Sequence, residues 1–134
     1  MDLLVPLPMI YTAHSKLSFY CRDVICEFVL RRDAVPLDPF RLFGYYLGDL
    51  LGDAVKRDRI RRANNNLVRT TDETWVFGDI ADGVLFEIEY ALSLEKPVRF
   101  FTVGSELHEI KEIDAREAVF EAGVLEGDRP SWAS

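Results

Sequence analysis

Asp72-Glu-Thr-Trp-Val-Phe-Gly-Asp-Ile-Ala-Asp82-Gly83-Val-Leu-Phe-Glu87-Ile-Glu-Tyr-Ala91 is the stretch whose reading decides the fold of this chain. Trp75, Val76 and Phe77 form a short apolar run of β type, closed by Gly78, as in a buried strand. An acidic loop follows, Asp79-Ile80-Ala81-Asp82-Gly83, and then a helical period from about Val84 to Leu94. A strand, a loop and a helix N-terminus in that order form the place where open α/β sheets hold ligands. At about 100° per residue, Val84, Ile88, Ala91 and Leu92 share one side of this helix. Glu87 projects between Ala91 and Leu94, on the apolar flank, whereas Glu89 and Ser93 fall roughly opposite. A carboxylate on an apolar flank is unfavourable unless paired or hydrogen-bonded, and such groups gather at functional sites. The residues alone also allow a plainer reading, with Asp82 as a helix N-cap and Glu87 reaching water from the rim.

Upstream, Met9-Ile-Tyr-Thr-Ala13 reads as a first strand ending at His14-Ser15. Ser15 or Ser18 caps a helix that runs through Phe19, Val24, Ile25, Phe28 and Val29 to about Arg32. Asp33-Ala-Val-Pro-Leu37 is a second strand, stopped by Asp38-Pro39, and a β-α-β unit implies a parallel pair with a right-handed crossover. From Phe40 to Gly52 the chain is aromatic and carries three glycines. Such a connection reads as a lid or wall of a site, or as a hydrophobic loop packed on the core or a second subunit. A second helix spans Asp53 to about Thr70. Its basic run Lys56-Arg57-Asp58-Arg59-Ile60-Arg61-Arg62 reads mainly as a solvated face, with phosphate or carboxylate contact as the alternative. Asn64-Asn65-Asn66 marks either a break or side chains reaching into a site, because Asn is a poor helix former.

Downstream, Glu95-Lys96 ends the third helix and Pro97 to Val103 is a fourth strand, closed by Gly104. Leu107 to Ile113 alternates like a half-buried edge strand, Asp114 caps a last short helix through Ala118 and Phe120, and Gly123 to Ser134 reads as a fraying tail. The sum over residues 1–134 is a single α/β domain. It is a flavodoxin/Rossmann-like three-layer sandwich with a mostly parallel five-stranded sheet. Ligands then belong at the carboxyl ends of strands one and three, which carry Ala13-His14-Ser15 and Gly78-Asp79.

A length of 134 residues suits one domain with a real core. The formal net charge of −7 excludes a non-specific binder of nucleic-acid polymers, which needs a basic surface. It leaves room for a small anionic ligand held by local arginines. His14 and His108 are the only histidines, so a His-rich metal site is ruled out. Cys21 and Cys26 lie five apart, which is neither a CxxC pair nor a metal spacing, and they read as free thiols of a reducing cytosol. The first residues lack a signal peptide's basic and apolar regions, and no segment reaches transmembrane length, so a cytoplasmic protein with no membrane partner is expected.

The chain contains no GxGxxG, GxxxxGKS or GxSxG motif. Carboxylates remain: Asp72 at the start of strand three, Asp79 and Asp82 in the loop, Glu87 on the helix. Two carboxylates flanking one pocket suit chemistry at an anomeric carbon, one as nucleophile and one handling the leaving group. Asp82-Gly83-Val-Leu-Phe-Glu87-Ile-Glu-Tyr-Ala91, followed by Lys96-Pro97-Val98 and preceded by Ile10-Tyr11-Thr12-Ala13, resembles the nucleoside 2-deoxyribosyltransferase-like family. The resemblance covers roughly residues 9 to 103.

It implies Glu87 as the nucleophile that takes sugar C1′, Asp82 as its neighbour positioning the sugar, and Asp72 as the acid associated with the base. Tyr11 falls beside the nucleophile, and His14, Ser15, Gly78, Asp79 and Gly83 are the further substrate-binding candidates. The substrate implied is a nucleoside or nucleoside 5′-monophosphate, handled by a homo-oligomer, dimer or higher, without cofactor or metal. Val84 and Glu89 depart from the family motif, and no Asn follows Asn66, so the residue with which transferases complete a neighbour's site is missing. Ile80-Ala-Asp82-Gly83-Val also lacks the double glycine of the cytokinin-type phosphoribohydrolases. N-glycoside cleavage is thereby favoured over sugar transfer. The competing expectations are a non-catalytic nucleotide-binding module of the same fold, and a purely structural role in which Phe40, Phe43, Tyr45 and Tyr46 form an interface.

Overall fold

Strands β1 (Met9–His14), β2 (Val35–Leu37), β3 (Glu73–Phe77), β4 (Val98–Phe101) and β5 (Glu112–Ile113) form one sheet in the order β2-β1-β3-β4-β5. The structure is a computed structural model that describes residues 2–43 and 53–134. β1 pairs in parallel with β2 and β3, and β3 with β4, while β5 runs antiparallel to β4. The helices are α1 (Arg22–Arg31), α2 (Pro39–Leu42), α3 (Ala54–Thr70) and α4 (Asp82–Ser93), with a 3-10 segment at Lys16–Cys21 leading into α1. The protein is an α/β, Rossmann-like sandwich.

Strand alternation divides the core into two layers, one on each face of the sheet. Ile10, Trp75, Phe77 and Phe101 pack with Ile25, Phe28 and Val29 of α1 on one face. Tyr11, Val76 and Phe100 pack with Val68 of α3 and Val84, Ile88 and Ala91 of α4 on the other. Phe77 and Phe101 stack at 5.0 Å between ring centroids, and Phe28 meets both edge-on. Gly78 ends β3 with φ of 78°, where an added Cβ would lie 2.6 Å from Val103 Cγ1, so only glycine fits that turn.

The periodicity of residues 107–113 suggests a strand, but the structure corrects this. Leu107–Glu109 is a 3-10 turn closed by a Glu106/Glu109 capping box, and only Glu112 and Ile113 pair with β4. Thr102 holds the turn in place, its hydroxyl donating to Glu109 O at 2.7 Å and accepting from Lys111 N at 2.9 Å. The expected last helix is a single 3-10 turn, Ala115–Glu117.

The tail does not fray either. Trp132 stacks on Phe100 at 5.6 Å, Ala133 is buried, and Arg129 bonds the carbonyls of Ala118 and Ala133. α3 runs unbroken through Asn64-Asn65-Asn66. Of the aromatic connection, Phe40–Phe43 are described, and the remainder, with Tyr45 and Tyr46, lies outside the described residues.

Candidate active site

β1 and β3 end side by side, with His14 opposite Phe77, and α4 begins just beyond them. A cavity of about 440 Å³ opens there, a size that suits a small organic ligand. Tyr11, His14 and Ser15 line it from β1 and its end, and Ala81, Asp82, Gly83, Val84 and Glu87 from the start of α4. Arg57, Ile60, Arg61 and Asn64 come from α3, and Phe40 from α2.

Glu87 is buried, at 7% exposure, one turn into α4. Its Oε2 accepts a hydrogen bond from the Tyr11 hydroxyl. Burial raises the Glu87 carboxyl from its ordinary 4.5 to about 7, opposed by the Tyr11 hydrogen bond and the positive charge of Arg61. Burial and the adjacent carboxylate hold the Tyr11 phenol well above its usual value, so it stays a donor. The helical periodicity of α4 is borne out at Val84, Ile88 and Ala91, which are buried, and at Glu89 and Ser93, which are exposed. Leu92 departs from it and is exposed.

Asp82 is exposed at the cavity mouth as the first residue of α4, and Ala81 takes the N-cap position without a side-chain cap. An added Cβ at Gly83 would meet nothing within 4 Å, which leaves open space beside the helix start. His14 forms part of the wall. Its Nε2 donates to Asp38 Oδ2 at 2.7 Å and its ring packs on Phe40 at 4.7 Å. The Ser15 hydroxyl caps the 3-10 segment, accepting from Leu17 N at 3.1 Å. Arg22, at the start of α1, turns back to Phe19, donating to its carbonyl and covering its ring.

Three of the sequence candidates stand outside the cavity. Asp72 lies at the amino end of β3, where its carboxylate accepts from Met9 N at 2.7 Å. A five-residue strand, about 16 Å long, separates it from the carboxyl end. The expectation that Asp72 assists catalysis is corrected accordingly: it clamps β3 to β1. Gly78 serves the turn after β3, and Asp79 is exposed beside it without lining the cavity.

Two features, Asp38 and Glu121, escaped the sequence reading, and two, the arginine pair and Asn64, were among its alternatives. Asp38 looks like a strand stop, yet it is buried, accepts from Thr12 Oγ1, His14 Nε2 and Phe40 N, and so ties the ends of β1 and β2 to α2. Arg57 and Arg61 belong to the run read mainly as solvated, and both line the cavity. Asn64 continues their stripe at i, i+4 and i+7, a spacing visible in the sequence. Glu121 carries no local signal. It arrives because residues 119–121 run beside Ile80, with Ile80 N donating to Val119 O at 2.8 Å and Glu121 N donating to Ile80 O at 2.9 Å.

Among the described residues, no group of three or more His, Cys, Asp or Glu side chains converges as metal ligands do. None of the described helices is long and apolar enough to cross a membrane. A family profile described as a domain of unknown function, DUF7768, matches residues 14–101, which includes β1's end, α3, α4 and Glu87. No curated protein matches the chain.

Proposed function

The chain belongs to the DUF7768 family, and we propose that it cleaves the N-glycosidic bond of a nucleoside or nucleoside 5′-monophosphate through a covalent sugar intermediate. One observation carries this reading: a buried carboxylate, Glu87, held by the Tyr11 hydroxyl against a cavity of nucleoside size. Poor solvation makes the ionised carboxylate a better nucleophile, and a pKa near 7 leaves much of it ionised at neutral pH. Glu87 attacks C1′, the C1′–N bond breaks, and its electron pair leaves with the base, which takes up a proton. Water then attacks C1′ and gives up its proton, which releases the sugar and restores the carboxylate. Asp82 at the mouth positions the sugar, and Tyr11 fixes the orientation of Glu87.

Hydrolysis is the first reading here, and transfer of the sugar to a second base is its runner-up. A homo-oligomer in the cytoplasm goes with this reading. The experiment is a chromatographic screen for free base released from nucleosides and their 5′-monophosphates, with and without a second acceptor base. Wild type is expected to release base, and Glu87→Gln to lower the rate by at least roughly 10³-fold while remaining folded. Full activity in that variant would falsify the mechanism. The position of Asp72 outside the cavity favours a second reading, a non-catalytic nucleotide-binding module. That reading predicts ligand-raised melting with no base released from any member of the panel.

A further inference from the structure

At about 100° per residue, Arg57, Ile60, Arg61, Asn64 and Val68 fall within one arc of about 100° on α3. Ile60 and Val68 are the buried residues of this helix, so the arc is its inward face. Arg59 and Arg62 lie outside it. Arg57 and Arg61 thus stand where a core-facing helix carries apolar side chains, and both line the 440 Å³ cavity. Lys16, the first residue of the 3-10 segment after β1, adds a third cation to the same lining.

Arg57 and Arg61 are four positions apart, a spacing at which like charges on a helix repel. Nothing in the protein offsets that repulsion. Arg31, Arg41, Arg99 and Arg116 are each paired with a carboxylate. Among the described residues, by contrast, no ion pair or hydrogen bond engages Arg57, Arg61 or Lys16. Asp82, Glu87 and Glu121 share the lining but form no ion pair with these cations, and Glu87 is bonded to Tyr11 instead. The positive charge of Arg61 still acts on the Glu87 carboxyl, so this guanidinium is felt inside the cavity.

Three unpaired cations on one cavity exceed what a single carboxylate ligand needs. A phosphomonoester carries nearly two negative charges at neutral pH and three acceptor oxygens. Guanidinium groups take such oxygens in bidentate fashion, and an ammonium adds a point charge. We infer that Arg57, Arg61 and Lys16 form a subsite for the phosphate of a nucleoside 5′-monophosphate, so that the nucleotide and not the free nucleoside is the substrate. This rests on the reading of the cavity as a nucleoside site and adds the substrate class. The three are binding residues rather than catalytic ones.

The test is calorimetric binding to the Glu87→Gln protein, in which turnover does not interfere. The probes are the 5′-monophosphates of the common ribonucleosides and deoxyribonucleosides, each beside its parent nucleoside, and inorganic phosphate alone. At least one monophosphate is expected to bind about tenfold or more tighter than its parent nucleoside, and also tighter than inorganic phosphate. Arg57→Met, Arg61→Met and Lys16→Met are each expected to weaken that binding by about tenfold, the scale of one lost hydrogen bond to a charged group. Added sodium chloride is expected to narrow the gap as well, because all three side chains belong to exposed residues and are screened. For the same reason the melting temperatures of the free variants are expected to stay level.

Equal affinity for every nucleoside and its monophosphate overturns the inference. So does a preference unmoved in all three variants, inorganic phosphate bound as tightly as the nucleotide, or no binding by any probe. Base release by wild type, measured alongside, keeps the two proposals separable. Release at equal rates from nucleosides and monophosphates overturns the phosphate subsite and leaves Glu87's role standing. A monophosphate preference without release supports the subsite and overturns the cleavage.

Discussion

Burial lifts the Glu87 carboxyl from 4.5 to about 7, and this single residue links chemistry to stability. Between those two pH values the unfolded chain has released the proton and the folded protein still holds it. Folding therefore takes up a proton, and stability that is complete below about pH 4.5 is lost as pH rises towards 7, then levels off. A shift of that size corresponds to about 3 kcal/mol. Glu87→Gln removes the titration, so its stability advantage over wild type is expected to grow from about pH 5 to about pH 8 in denaturant titrations. An advantage that does not change with pH would mean that Glu87 titrates as an ordinary surface carboxylate. Tyr11→Phe acts on the same group. The Tyr11 hydrogen bond lowers the Glu87 pKa, so its removal is expected to move the rising limb of the pH–rate profile to higher pH. A limb that does not move would show that the limb reports another residue.

At the scale of elements, the turn between α4 and β4 secures the end of α3. Lys96 Nζ donates to the carbonyls of Val68 at 3.1 Å and Thr71 at 2.6 Å, and also to that of Arg69. The last carbonyls of a helix have no partners within it, and the negative end of its dipole attracts a cation. The Lys96-Pro97-Val98 stretch is thus a helix clamp, and it holds the helix that carries Arg57, Arg61 and Asn64. Lys96→Met is expected to lower the unfolding free energy by about 2 kcal/mol, read from the shift in denaturation midpoint. An unshifted midpoint would assign the clamp to Thr71, whose hydroxyl bonds Leu67 O at 2.6 Å. The Asn triplet survives inside α3 because tertiary contacts outweigh its weak propensity, with Leu67 and Val68 packed in the core just beyond it.

At the scale of the whole molecule, the last residues close the face of the sheet that carries the cavity. Trp132 lies on Phe100 at 5.6 Å and on Phe120 at 6.0 Å, and Phe120 is paired with Ile80 at the end of β3. Trp132→Ala should cost about 2–3 kcal/mol, less than a fully buried aromatic, and lower the melting temperature. If the tail were loosely attached, the melt would not change. The net charge of −7 and the cations at the cavity coexist because charge is distributed by element: α3 gathers its arginines along one helix, while acids are spread over the remaining surface.

The sequence by itself determined the alternation of strands and helices, the extents of β1 and α3, and the apolar flank of α4 on which Glu87 sits. Each follows from a period of two or 3.6 residues, which sets the side of an element that faces the core using only neighbouring positions. Such periods also misled, at Leu107–Ile113, where capping and the Thr102 hydroxyl outweigh alternation. Tertiary structure alone decided which side chains share a cavity. It kept Asp72 at the far end of β3, turned Arg57 and Arg61 towards the site, set Asp38 behind His14 and brought Glu121 into the lining. The Ile80–Phe120 pairing joins residues forty positions apart, and no local pattern encodes a contact of that range.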